Sequence, residues 1–341
     1  MNKCKICFQN INSNQHIKIL NKFKFQVLGD SQRLNKTYFN NFVFCKKTGF
    51  FTKKINKNYL KNLEIIFAKK YTINNLRYGK NQILKIQTRN RVTEVIDNQF
   101  KNKDIEILEY GCGNGDLIKT FKKKNYYFDI IEKRNLKKLQ KIKKIRKVFN
   151  KIPKKKKKYD LIIFDNSIIQ SSDVIKELSS LINTLKDDGI IYIENKSLMD
   201  NYYYLVTYDI INISPIKSYI KLFNTLDLFS FKYGYSKEFK TEYAFFKKSK
   251  KKNTLKINNK KILFQLRKFE NKIEKIILKI KKTKKINFLG AGIGCSFYLN
   301  FSDKKTVKIF DNNKYLNNKF FNTKRIKLFK NNNKIDFIKT F

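Results

Sequence analysis

The sequence predicts an α/β protein built on a parallel sheet with helices on both faces. Between Asp104 and about Lys250, apolar runs of strand length alternate with amphipathic segments of helix length, and a glycine turn joins the first strand to its helix. Core material is ample: 41% of the 341 residues are hydrophobic and 15% aromatic, which excludes a disordered chain. A small cysteine-containing arm (1–55) precedes this main unit (56–250). A linker helix and a second small α/β domain (251–341) follow it.

The elements can be justified in order. In NYLKNLEIIFAKKY and ILKIQTRNRVTEVI the apolar positions fall at helical spacing, so residues 60–100 are expected to be helical. IEILEY is a strand, DLIKTFKK opens a helix, YYFDIIE is a second strand and NLKKLQKIKKIRK a basic helix. YDLIIFD is a continuous apolar strand of the doubly buried kind. SSDVIKELSSLINTLK is a helix and GIIYIEN another strand, while KIPKKKKKYD reads as a solvated loop. Beyond the charged linker KKSKKKNTLKINNKK, Leu266, Phe269, Ile273, Ile276, Ile277 and Ile280 form one apolar stripe of a long helix. KINFL, the glycine turn GAGIG and TVKIFD then repeat strand, turn and strand.

The formal charge is +50, from 77 Lys+Arg against 27 Asp+Glu. Such a balance suits anionic partners. Lysine far outnumbers arginine, however, and is spread along the whole chain, whereas planar recognition of bases and phosphates favours arginine. Lys, Asn, Ile, Phe and Tyr also share AT-rich codons, so codon bias competes with selection for binding as the source of the charge. A small anionic substrate is therefore expected ahead of nucleic acid. The start MNKCKICFQN lacks the apolar stretch of a signal peptide, and no run is long and apolar enough to span a membrane. An odd count of five cysteines fits a reducing cytoplasm.

LEYGCGNGDLI (108–118) holds three of the chain's 11 glycines, Gly111, Gly113 and Gly115. Such a turn adopts angles closed to a side chain and lets backbone approach a ligand, and the helix beyond offers free N–H groups. Glu109 stands just before it. A carboxylate there repels phosphate and suits a cationic ligand with a free amino group. The pattern E-x-G-C-G-x-G after a first strand resembles motif I of the class I S-adenosylmethionine-dependent methyltransferases, whose fold is Rossmann-like. The resemblance implies that this turn packs against the methionine part of the cofactor. It also implies that Glu132, 21 positions after Gly111, holds the ribose hydroxyls, near the ~20 positions typical of such acids. Asp165 and Asn166, ending DLIIFDNS, would face the cofactor, and LKDDGIIYIEN is similar to the family's turn into its fifth strand, with Asp188 replacing a glycine.

The flanks resemble sugar C-methyltransferases, which act on nucleotide-linked deoxysugars and carry a zinc-binding arm. CKIC supplies Cys4 and Cys7, and CKKT supplies Cys45 with Thr48 in the fourth position. Structural zinc takes four soft or imidazole ligands, so the site is one short unless His16 folds back to it. GAGIGCSFYLNF and IFDNN, from Gly290 to Asp311, are similar to that family's C-terminal Rossmann-like domain.

The family's H-E-H segment aligns with Thr207, Tyr208 and Asp209, and its loop histidine with Gln170, so its catalytic base is not carried over. Tyr208 and Asp209 are the catalytic candidates, and both need strong pKa tuning to act as a base. Tyr71, Tyr78 and the tyrosines of NYYYLVTY add aromatic candidates, more readily packing than catalysis. The expected function is methyl transfer from S-adenosylmethionine to a small anionic acceptor, a nucleotide-linked sugar for surface polysaccharide. The alternatives are an RNA methyltransferase and a non-catalytic cofactor-binding scaffold.

Overall fold

The computed structural model describes residues 16–20, 42–69, 78–101, 103–133, 136–153, 158–289, 293–302, 306–311, 320–321, 324–328 and 338–339. The arm contributes β1 (His16–Ile19), β2 (Phe42–Cys45) and β3 (Phe50–Lys53), all antiparallel neighbours. Two helices follow, α1 (Lys57–Lys69) and α2 (Tyr78–Phe100). Next come β4 (Ile105–Tyr110), α3 (Asp116–Thr120), β5 (Tyr126–Ile131), α4 (Leu136–Leu139), β6 (Ile145–Phe149) and β7 (Tyr159–Asp165). The main unit ends with α5 (Val174–Ile182), β8 (Leu185–Lys196), β9 (Asn212–Ile213), α6 (Ile216–Asn224), β10 (Leu228–Ser236) and β11 (Thr241–Lys248). The C-terminal part contains α7 (Asn259–Lys282), β12 (Lys285–Leu289), α8 (Ile293–Leu299), β13 (Thr306–Asp311), β14 (Phe320–Phe321), β15 (Lys324–Leu328) and β16 (Ile338–Lys339).

A seven-stranded sheet of order β10-β11-β8-β7-β4-β5-β6 forms the centre. All neighbouring pairs from β6 to β8 are parallel, and β11 runs against both β8 and β10. The chain order reverses between β4 and β7, which opens a crevice at the carboxyl ends of these strands. β7 is buried at all seven positions, as its unbroken apolar run requires when helices cover both faces.

The parallel strands are flanked by the hairpin β10–β11, which adds a reversed strand. One expectation is corrected. The basic helix expected over 135–147 stops at Leu139, and Ile145–Phe149 pair with β5 as an edge strand. Ile145 packs into the core while Arg146 stays at the surface, over the Tyr127 ring at 4.7 Å and paired with Glu106. An edge strand tolerates such charges on its open side, so a basic run can be read in either period.

β9 pairs antiparallel with β3, so the segment after β8 completes the arm's sheet and ties the arm to the main unit. The C-terminal sheet, order β14-β15-β13-β12-β16, shares a continuous apolar core with the main unit. Helix α7 buries Ile262, Leu266, Phe269, Ile273, Ile277 and Ile280, close to the expected stripe. Tyr203 stands edge-on to Phe269 at 4.9 Å and its hydroxyl meets that of Tyr298 at 2.8 Å. The tyrosine cluster is thus largely packing. No helix among the described residues is long and apolar enough to cross a membrane.

Ile191 sits fully buried in β8, in the middle of the shared core. Ile191→Ala is expected to cost about 2–5 kcal/mol, by lost transfer free energy and the cavity left behind. Urea unfolding should show a lower midpoint with an unchanged slope.

Candidate active site

The crevice is built from the carboxyl ends of β7, β4 and β5, neighbours in that order. Glu109 in β4, Glu132 just past β5 and Asp165 ending β7 are all buried. Gly111, Gly113 and Gly115 each adopt positive φ, at 72°, 60° and 69°. For Gly111 the requirement is twofold, since an added Cβ would lie 2.6 Å from Ser167 Cβ at the turn after β7. The Gly111 N–H donates to the Ile131 carbonyl at 2.8 Å, locking the turn onto β5.

Glu132 accepts from the Gly113 N–H at 2.9 Å and from its neighbour Lys133 N–H at 2.8 Å, so its carboxylate is fixed directly under the glycine turn. Asn166, at φ 56°, donates to Asp165 Oδ1 at 2.9 Å and accepts from the Lys196 N–H at 3.0 Å. Lys85, from α2, pairs with Asp165 Oδ2. Three turns of α2 are held to the strand ends in this way: Thr88 donates to Glu194 at 2.7 Å, and Arg91 donates to both oxygens of the same carboxylate at 2.7 Å. Tyr192 and Thr241 saturate Glu194 further.

Burial, and then the charge of Asp165, push the Glu109 carboxyl up to about 8, with Lys85 opposing the shift. Its Oε2 has no hydrogen-bond partner, and neither has Ser167 Oγ. For Lys85, burial works against the charge, but Asp165 and then Glu109 and Glu194 outweigh it and raise the ammonium pKa.

A cavity of about 400 Å³ lies beside the turn. Gly111, Ile131, Glu132, Lys133 and Ser167 form one wall. Leu60, Leu63 and Glu64 of α1, with Ile211, form the other, and Tyr110, Gln170, Ser172 and Glu177 complete it. Asp173 caps α5 by accepting from the Lys176 N–H at 3.3 Å, which sets Glu177 in the first turn. There Glu177 accepts from the Tyr110 hydroxyl at 2.5 Å, and burial raises the phenol above its ordinary range. An adjoining groove of about 560 Å³ carries Lys57 and Lys176.

The sequence candidates divide accordingly. Glu109, Gly111, Gly113, Gly115, Glu132, Asp165 and Asn166 converge on the crevice. Tyr208 and Asp209 do not line the cavity: both are about 1% exposed and lie behind the wall made by Leu60, Leu63 and Ile211. Tyr208 stacks on Tyr59 at 4.4 Å. Lys53 donates to the Thr207 and Tyr208 carbonyls, at 2.9 Å to the latter, and to the Tyr59 hydroxyl at 3.0 Å. Burial lowers the Lys53 pKa and nearby Asp209 partly restores it. Gln170, aligned with a loop histidine, does reach the cavity.

Cys4, Cys7, Tyr71 and the turn from Gly290 to Gly292 lie outside the described residues. Cys45 is buried at the end of β2, opposite His16 across the strand pair. Among the described residues no three His, Cys, Asp or Glu side chains gather as a metal site. Lys53, Lys85, Tyr110 and Glu177 were not legible as site residues, although Tyr110 stands inside the glycine motif itself.

Residues 84–228 match the family model described as a methyltransferase domain. No curated protein matches the chain. Among solved structures, the plantazolicin methyltransferase BpumL in complex with SAH is 14% identical, covering 56% of this chain and 99% of its own, at a TM-score of 0.43. A SAM-dependent methyltransferase from Leishmania major is 18% identical, covering 55% and 82%, at 0.43. The pyocyanin biosynthetic protein PhzM is 10% identical, covering 55% and 62%, at 0.40. Residues 84–228 are thus a methyltransferase domain on a Rossmann-like α/β sheet, and the cofactor such a domain implies is S-adenosylmethionine. The residues present fit that cofactor: a glycine cradle that a Cβ would fill, orphaned polar atoms at Ser167 and Glu109, and acids suited to a cation.

The raised Glu109 pKa has a consequence for stability. The folded state holds a proton that the unfolded state releases near 4.5, so stability is full at acid pH and falls as pH rises from about 4.5 to 8. The Glu109→Gln protein should lose this decline. Urea midpoints measured between pH 5 and 8 give the comparison, and equal pH slopes in both proteins would refute the burial effect.

Proposed function

We propose that the enzyme methylates a small anionic acceptor, with a nucleotide-linked sugar of surface polysaccharide biosynthesis as the favoured substrate. The observation that carries this reading is the cavity of about 400 Å³, walled by the glycine turn and Glu132 on one side and by α1 and α5 on the other. It adjoins a second groove, which gives cofactor and acceptor neighbouring places.

Glu132, held by two backbone N–H groups, presents its carboxylate to the ribose hydroxyls. Asp165 supplies negative charge toward the amino-acid end with Glu109 beside it, and Asn166 fixes Asp165. When bound, S-adenosylmethionine supplies a methyl group on a positive sulfonium. Leu60, Leu63 and Ile211 exclude water and help orient the acceptor, and positioning of this kind supplies most of the rate in an in-line displacement. The inner cavity presents Glu64, Glu132 and Glu177 against Lys133, whereas the outer groove sets Lys57 and Lys176 against Asp173 and Glu177, so an acceptor's anionic group is better met in the groove. The proton leaving an acceptor oxygen or nitrogen passes to Glu177, oriented by Tyr110. Tyr208 and Asp209 contribute from behind the wall, where Lys53 ties the arm to the segment that carries them.

Calorimetry with S-adenosylhomocysteine tests the cofactor assignment. Glu132→Ala and Gly113→Val should each weaken binding about tenfold or more, a loss of roughly 1.4 kcal/mol or above. Gly113→Val acts through its positive φ, which a β-branched residue resists. Unchanged affinity in both variants would refute the site. With labelled cofactor, methyl incorporation into nucleotide sugars should fall at least tenfold in Glu177→Gln while homocysteine-product binding stays the same.

A further inference from the structure

We infer that Lys85 and the cofactor's ammonium group compete for the same place beside Asp165 and Glu109, so that cofactor binding exchanges one ammonium for another there. The inference rests on the cofactor reading above and adds to it an internal competitor.

The motif neighbours of the turn are divided unequally. Gly111, Glu132 and Ser167 line the cavity, whereas Glu109 and Asp165, two positions before Gly111 and Ser167 respectively, do not. Both acids are buried, at 2% and 8% exposure. The Lys85 side chain, 21% exposed, pairs with Asp165 Oδ2 and is close enough to Glu109 for the two to interact electrostatically. Glu109 Oε2 meanwhile has no hydrogen-bond partner among the described residues. Asp165 and Glu109 share one lysine, and burial favours the neutral form of Glu109, so an ammonium that displaces Lys85 meets the same Asp165 charge and the open Glu109 oxygen.

The rest of α2 permits the exchange without moving the helix. Thr88 and Arg91, one and two turns further on, hold Glu194 through close hydrogen bonds. Lys85 itself has Asp165 as its ion-pair partner and hangs on a long flexible stem. Rotation of that stem toward solvent vacates the place beside both acids while the helix stays pinned. The apparent affinity for a ligand that needs the vacated state is reduced by the fraction of molecules in that state.

The tests use the full chain. Lys85→Met should bind S-adenosylhomocysteine about tenfold more tightly than wild type, as expected where roughly one molecule in ten has the lysine released. Methylthioadenosine, which lacks the amino-acid tail and never reaches these acids, should bind both proteins equally. Weaker or unchanged S-adenosylhomocysteine binding by Lys85→Met overturns the exchange, as does equal tightening of both ligands. A second measurement needs no variant: acetylation of Lys85 in wild type, followed by mass spectrometry, should speed up when S-adenosylhomocysteine is saturating. Protection or an unchanged rate overturns the inference while leaving the cofactor site intact. Wild type that binds no S-adenosylhomocysteine overturns the site and the inference together.

Discussion

Three carboxylates crowd the carboxyl edge of the central sheet, and the organisation of the site follows from that crowding. Glu109, Glu132 and Asp165 end adjacent strands and are all buried. Like charges so placed cannot all be ionised without compensation. Each has a different answer. Glu132 takes two backbone N–H groups, Asp165 takes Lys85 and Asn166, and Glu109 is left short of partners with its pKa raised. The crowding is thus met by backbone N–H groups at Glu132, by a lysine at Asp165 and by protonation at Glu109.

The geometry that creates this edge depends on close approach between two turns. The glycine turn after β4 and the serine turn after β7 meet so tightly that a methyl group at Gly111 would overlap Ser167. Helix α2 then spans the strand ends like a strap, with Lys85, Thr88 and Arg91 spaced to meet Asp165 and Glu194. Glu194 differs from its neighbours in being fully satisfied, with four side chains donating to it. A saturated carboxylate fixes structure, whereas an unsaturated one leaves capacity for a ligand.

Charge at the site also runs against charge on the whole chain. A protein of +50 lines its inner cavity with three carboxylates and one lysine, and its outer groove with two of each. Global charge describes solubility and long-range attraction, while binding is set by the few groups a ligand touches after losing water. The arm reaches this wall through β3 and β9, with Lys53 buried where the two meet. A segment remote in sequence thereby shapes the acceptor side.

The strand order, the glycine turn and the acids Glu109, Glu132 and Asp165 were legible because each is a local pattern: unbroken apolar runs, consecutive glycines, and an acid at a fixed spacing. Periodicity misled where an edge strand carries helix-like charges, at Ile145–Phe149, and it missed the reversed hairpin. The sequence by itself determined the class of fold and the glycine-turn side of the candidate site, since these are set within single strand–turn–helix units. Tertiary structure alone decided that Lys85 pairs with Asp165, that Tyr110 meets Glu177, and that Tyr208 and Asp209 stand behind the cavity wall. Those contacts join residues from 67 to more than 150 positions apart, as between Tyr110 and Glu177 or Lys53 and Tyr208. No pattern of neighbours in the chain encodes them; they follow from which faces the packed elements turn toward one another.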